Sequence, residues 1–317
     1  MLDMFGFTLP VFLVIGLGVV AVRSGLLAED AVRPLNVFVF YFAMPALIAG
    51  ALARQDVAAV LDLRLIAGWL VCGVAVFGLG MLAAALFGAR NLSAMALMGQ
   101  GSAVGNIGFL ALPLTFTVFG TGAAGPITIA LIVDLVILIP LSIALLEIDR
   151  AGNGSEHGQR GRFAVVGRIA RGVFLNPFIL SIALGLTLSA SGFGLPGSVE
   201  RFADFLGAAA GPAALFALGV SLAGRRIEGD TLAIGAMSVL KLFVHPALIY
   251  LTLAYGFGIA SSTAAIFAVI AAMPVAGNVF VIASQYGVFV RRASASVLVS
   301  TLVSVVTVSL ALSLAIG

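Results

Sequence analysis

Long apolar runs, separated by short polar joints, set the pattern of this chain. A helix that crosses a bilayer needs about 20 mainly apolar residues. Ten runs meet that requirement, roughly at 5–22, 34–52, 65–87, 93–118, 123–146, 172–191, 203–223, 231–255, 263–284 and 293–315. The longest polar segment, "EIDRAGNGSEHGQRGRFAVVGR" at 147–168, follows the fifth run and divides the chain nearly in half. The pattern predicts an all-α polytopic membrane protein with ten transmembrane helices.

Composition agrees with lipid as the solvent. The 317 residues are 62% hydrophobic and only 9% charged, with a mean hydropathy of +1.23, whereas a soluble domain carries about a quarter charged residues. The 38 glycines suit close helix packing in a membrane. Cys72 is the single cysteine, so a disulfide framework is excluded, and its apolar surroundings read as a small buried hydrophobe. "MLDMFGFTLP" has no basic n-region and carries Asp3, so the first run is expected to stay as a helix.

The net charge of +3 resides in the joints, which favours membrane orientation over a nucleic-acid partner. Ten spans place both termini on one side. The opposite side then receives Arg23, Arg33, Arg90, Arg150, Arg160, Arg162, Arg168, Arg171, Arg225, Arg226, Arg291 and Arg292, against Arg54, Arg64 and Arg201 on the side of the termini. Basic residues stay in the cytoplasm, so both termini are expected outside and the 147–171 loop inside, in a bacterial cytoplasmic membrane.

A shift of 167 residues superposes the two halves. Pro10 falls on Pro177, Gly18 on Gly185, Ser24-Gly25 on Ser191-Gly192, Pro45-Ala46 on Pro212-Ala213, and Gly120 on Gly287. Each half (1–146 and 172–317) holds five spans, and an odd number inverts the second half. Inverted repeats are a common construction of secondary transporters.

Two matched spans are interrupted. The fourth contains "GQGSAVGNIGFLALPL" (99–114) and the ninth "AAMPVAGNVFVIASQYG" (271–287). Proline removes a backbone donor and clashes with the preceding turn. Unsatisfied backbone in lipid costs several kcal/mol, so a break needs protein or a watery cavity beside it. Such a break exposes N–H groups that suit a carboxylate and C=O groups that suit a cation. Asn106 and Asn278 can bind a carboxylate without carrying charge. Gln100, Ser102, Gly108, Pro113 and Pro274 complete the candidate substrate site, with Gln285 beside it. Pro113 is expected to keep the fourth-span ladder from closing.

"GNIGFLALPL" (105–114) and "AMPVAGNVFVIASQYG" (272–287) resemble the paired signatures of the auxin efflux carrier family. The resemblance covers essentially the whole chain and implies a bile acid symporter-like fold. Spans 1, 2, 6 and 7 would form a scaffold. Spans 3–5 and 8–10 would form a transport domain in which helices four and nine break and cross. It places Asn106, Pro113 and Pro274 at the family's crossover positions and implies small organic anions, such as malate or malonate, as substrates.

Asp134, Lys241 and His245 lie deep in apolar runs, where ionisable groups are costly and usually functional. Lys241 and His245 are four apart and share a helix face. Lys241 reads as an attractor of anions, Asp134 as its partner or a protonation site, and His245 as a proton relay. A structural ion pair and a packing histidine are the competing readings. Asn36 reads as an interhelical hydrogen bond and Trp69 as an interfacial anchor. Nothing in the sequence makes a catalytic or metal-ligating pattern, so the chain reads as a transporter and not an enzyme. No cofactor is implied beyond a coupling H+ or Na+. The partners expected are a small organic anion and the bilayer, with a homodimer as a compatible assembly. An anion channel, or a carrier of an unrelated metabolite, stands as the alternative.

Overall fold

The computed structural model describes residues 2–55, 62–152, 167, 170–192, 195–225, 227 and 230–316. They are overwhelmingly helical, and among them no β-sheet forms. The first half runs α1 (Leu2–Arg23), α2 (Val32–Leu52), α3 (Leu63–Leu86), α4 (Leu92–Ala103), α5 (107–119) and α6 (124–152). The second half runs α7 (Pro177–Ser191), α8 (Gly197–Ala223), α9 (Thr231–Gly256), α10 (Ser261–Ala271), α11 (Gly277–Tyr286) and α12 (Val290–Ile316). Among the described residues six helical stretches are long and apolar enough to cross a membrane: α2, α3, Ile107–Arg150, α8, α9 and α12. The exterior is apolar as lipid requires. Leu17, Leu86, Phe205 and Leu314 are each at least 60% exposed.

Side-chain caps start the helices where the apolar runs begin. Asp62 caps α3, Asn91 caps α4, Asn176 caps α7 and Asp230 caps α9, each accepting from a backbone N–H of the first turn. Such caps satisfy donors that lipid could not. Gly192 and Gly287 end α7 and α11 in the left-handed region, at φ 70° and 69°, where glycine carries no Cβ penalty. α8 begins at Gly197, ahead of the apolar run expected at 203–223. Its first turns carry Glu200 and Asp204, which read as a joint but both bind Arg54 at the end of α2 (2.9 and 2.7 Å). Those carboxylates, Asp204 first, raise the Arg54 guanidinium above its ordinary value.

Four prolines inside the helices follow widened turns and do not end their helices. Wide π-helical turns at Val39–Ala43, Ile107–Ala111, Asp134–Leu138 and Leu240–Val244 each finish two residues before a proline, namely Pro45, Pro113, Pro140 and Pro246. Proline lacks the N–H and crowds the carbonyl one turn back. A five-residue turn gives that carbonyl room and keeps the helix continuous. Pro113 therefore does not hold the fourth-span break open. The break is Val104–Asn106, and Pro113 is buried within α5, against Gly211 of α8.

Close approaches fix two helix pairs. A Cβ on Gly18 of α1 would lie 2.3 Å from Phe216 O, and one on Gly219 of α8 would lie 2.0 Å from Ile15 O. A Cβ on Gly185 of α7 would lie 2.7 Å from Leu52 Cβ and 2.9 Å from Ala49 O of α2. The colliding atoms on α1 and α8 are backbone, so no rotamer change relieves them. Gly219→Ala should cost about 3 kcal/mol or more, the upper range of overpacking, read as a lower unfolding temperature in detergent. Gly78→Ala, where a Cβ meets nothing within 4 Å, should leave it unchanged.

Candidate functional site

The two interrupted spans meet at their breaks. The last residue of α4 is Ala103 and that of α10 is Ala271; the chain then runs extended before α5 and α11 begin. Asn106 N–H donates to Pro274 O (2.8 Å) and Ala276 N–H donates to Val104 O (3.3 Å). Gly105 and Val275 face each other between these bonds as an antiparallel pair. The breaks thus satisfy part of each other's backbone, which lipid would leave unpaired. Val275 N–H donates to Ser300 Oγ of α12 (3.0 Å), so a third helix supports the crossing. Asn106 also caps α5 by accepting from Phe109 N–H (3.4 Å).

A cavity of about 300 Å³ opens beside the crossing, at the lower end of ligand-pocket sizes. Asn106, Gly108, Asp134 and Asn278 line it, with Asn36, Ser221 and Arg225. Asn278 Oδ1 and Asp134 Oδ2 are buried and have no hydrogen-bond partner. Gly108 admits the Phe178 ring, which a Cβ there would meet at 2.9 Å. Asn36 contributes to the cavity wall.

Lys241 and His245 stand behind the crossing and do not line the cavity. Both are fully buried on α9. Lys241 Nζ donates to Ala271 O (2.8 Å) and Ala103 O (3.2 Å) and bonds His245 Nδ1 (2.9 Å). One ammonium therefore caps the carbonyl ends of both first half-helices, the ends of negative partial charge. Gly105 leaves the space for it: a Cβ there would be 3.0 Å from Lys241 Cε and Nζ.

The ion-pair reading of Lys241 with Asp134 is corrected by these contacts, because every partner of Lys241 is neutral. Trp69 and His245 link the two residues: Trp69 bonds Asp134 and lies against His245, which bonds Lys241. Asp134 Oδ1 instead accepts from Trp69 Nε1–H (3.0 Å). Trp69 is fully buried, not at an interface, and its ring lies 5.4 Å from that of His245. Buried indole N–H groups need a partner, and the buried Asp134 carboxylate supplies it.

The remaining candidates separate from the cavity. Pro274 sits in the crossing, while Pro113 lies beyond it. Ser102 Oγ donates to Met98 O of its own helix. Gln100 is buried with neither end of its amide bonded. Gln285 lines a second cavity of about 430 Å³ with Glu147, Arg150 and Tyr286, away from the crossing. Cys72 is buried and free. Arg160, Arg162, Arg168 and Arg226 lie outside the described residues.

Arg225 is the residue that sequence reasoning assigned to a cytoplasmic joint and the structure places in the cavity wall. The Arg225 guanidinium lies 4.6 Å from the Phe280 ring centre. It donates to Ser221 O (3.2 Å), Ser221 Oγ (3.5 Å) and Ser294 Oγ (3.4 Å).

An apolar helical bundle, with two broken helices that cross beside a cavity lined by a few polar side chains, fits a multi-pass membrane transporter. The chain belongs to the membrane transport protein family, which includes the auxin efflux carriers; the family's model matches residues 4–312. It is 35% identical over 310 residues to the "Putative malonate transporter" of Rhizobium meliloti (strain 1021), covering 98% of this chain and 95% of that protein. It is 26% identical over 308 residues to the uncharacterized transporter YfdV of Escherichia coli (strain K12), covering 96% and 95%. An uncharacterized transporter of Methanothermobacter thermautotrophicus is 27% identical over 309 residues, covering 95% of each chain.

Proposed function

We propose that the protein is a secondary carrier of small organic anions that works by alternating access. The observation that carries this reading is the crossing of α4–α5 with α10–α11 beside a cavity that offers unbonded polar atoms. Paired breaks at the midplane are where such carriers bind substrate. The substrate carboxylate is received by the Asn106 and Asn278 amides at the starts of α5 and α11. The name of the Rhizobium relative makes malonate the first substrate to test.

The packing supports a ten-span inverted repeat divided into scaffold and transport domains. α1 packs on α8 through Gly18, and α7 packs on α2 through Gly185. Gly18 and Gly185 are partners under the 167-residue shift, so the two contacts are repeats of one another. α3 packs on α4 and α6, and α9 and α11 pack on α12, as a second body containing the crossing requires. The arginine distribution supports both termini outside and the 147–171 loop in the cytoplasm.

A proton is favoured over sodium as the coupling ion. The carbonyl ends that would attract a metal cation already receive the Lys241 ammonium. Asp134 Oδ2, unbonded at the cavity wall, is a place for a proton.

Asn106→Ala and Pro274→Ala test the site in proteoliposomes loaded with malonate. Each should lower counter-transport by about tenfold or more, the cost of an unpaired buried group at a binding site. Variants that fold and transport like wild type would place the site elsewhere. Unitary conductance steps without counter-transport acceleration would make the protein a channel.

A further inference from the structure

The cavity wall holds only two ionisable side chains among the described residues, Asp134 and Arg225. Their situations differ. Asp134 has a buried group of opposite charge nearby, Lys241, reached through Trp69 and His245. The crossing is therefore close to neutral when both are charged. Arg225 has no such balance: its bonds all go to neutral oxygens, and it forms no ion pair among the described residues.

Those bonds are also long, at 3.2 to 3.5 Å. A guanidinium offers five donors in a planar fork, and bonds to a carboxylate run about 2.7–2.9 Å and are roughly twice as strong as neutral ones. Stacking on Phe280 fixes the plane of the fork without occupying its donors. A half-buried arginine held in orientation, with weak neutral acceptors, is arranged to exchange them for a carboxylate.

We infer that Arg225 anchors one carboxylate of the substrate while the Asn106–Asn278 crossing receives the other, so that the site selects short dicarboxylates over monocarboxylates. The inference rests on the anion-carrier reading above and adds the second point of attachment. The two ends of the substrate meet different chemistry: neutral amides and half-helix N-termini at one end, a charged fork at the other. Arg225 lies two residues past the end of α8, whereas Phe280 and Ser294 belong to α11 and α12. A dicarboxylate held at both ends would therefore span two packing groups.

The test measures binding of malonate and of monomethyl malonate, which has nearly the same shape but one charge fewer, to the full-length protein in nanodiscs. Wild type should prefer malonate. Arg225→Gln should weaken malonate binding by roughly 50-fold, as expected for a desolvated charge pair, and change monomethyl malonate binding by less than about threefold, because that ligand does not need the fork. Arg225→Lys, which keeps charge but not the fork, should fall between.

Thermal unfolding of each variant reports whether it is folded. Wild type that binds neither compound, nor any other short carboxylic acid, would overturn the anion reading and the anchor together. Wild type that binds malonate, with a folded Arg225→Gln that matches it within twofold, would overturn the anchor alone. Equal loss for malonate and its monoester would also overturn it, since the fork would then serve the shared carboxylate. So would slowed transport at unchanged affinity, which would make Arg225 a latch between the two bodies.

Discussion

Lys241→Met is expected to abolish transport and to lower the stability of the whole protein. The ammonium donates to the last carbonyls of α4 and α10 and bonds His245. Methionine fills a similar volume and replaces none of these bonds. The two carbonyls and Asp134 Oδ2 would then be buried without compensation, and removing one partner of a buried charged set costs about 3–5 kcal/mol. Thermal unfolding in detergent reads the first effect and malonate counter-transport the second. Lys241→Arg should not rescue, because Gly105 already leaves only 3.0 Å between its absent Cβ and Nζ. The double variant Lys241→Met/Asp134→Asn removes both charges. It should recover the part of the loss that comes from the uncompensated Asp134 charge, not the part that comes from the uncapped Ala103 and Ala271 carbonyls, and it should stay inactive. A Lys241→Met protein as stable and active as wild type would show that the ammonium holds nothing together.

Much of this arrangement was visible in the sequence because lipid punishes every exception. A polar residue or glycine cluster inside an apolar run needs a reason, so Asn106, Pro274, Asn278, Asp134 and Lys241 all announced themselves. What sequence pattern cannot supply is the direction in which a side chain points. Lys241 lies at a π-helical turn, which shifts the helical phase, and it faces the rear of the crossing instead of the cavity. Pro113 has the chemistry of a breaker, yet the same kind of widened turn accommodates it. Trp69 lies close enough to the start of its apolar run to resemble an anchor, and only its partner Asp134, 65 positions away, explains its burial. Arg225 follows the last turn of α8, where an arginine is normally solvated. The buried hydroxyls of α12 at Ser296, Ser300, Thr301 and Ser304 give no sequence signal because serine and threonine are tolerated in membrane helices. Ser300 nevertheless bonds the ninth-span break.

Asp134→Asn is expected to separate substrate binding from proton coupling. Asparagine keeps an oxygen for Trp69 Nε1–H and removes the charge that faces the cavity. In wild type, a proton on Asp134 removes one negative charge opposite an anionic substrate. Malonate binding should therefore strengthen as the buffer is acidified and weaken as it is made alkaline, after correction for the ionisation of malonate itself. The groups around Asp134 reinforce this sign. Trp69 of α3 donates to it, His245 and Lys241 of α9 follow behind Trp69, and Arg225 lines the same cavity. With Asp134 neutral, the cavity and crossing carry Lys241 and Arg225 against the two charges of the dianion. With Asp134 ionised, one negative charge is in excess. The Asn variant mimics the protonated state at every pH, so its malonate affinity should be flat and equal to the acid-side value of wild type. Its uptake should lose acceleration by an imposed proton gradient, by about tenfold, while malonate–malonate exchange continues. A variant whose affinity still rises on acidification would place the proton elsewhere, with the unbonded Nε2 of His245 as the next site to test. A variant that loses exchange as well would make Asp134 part of the binding surface instead of the coupling step.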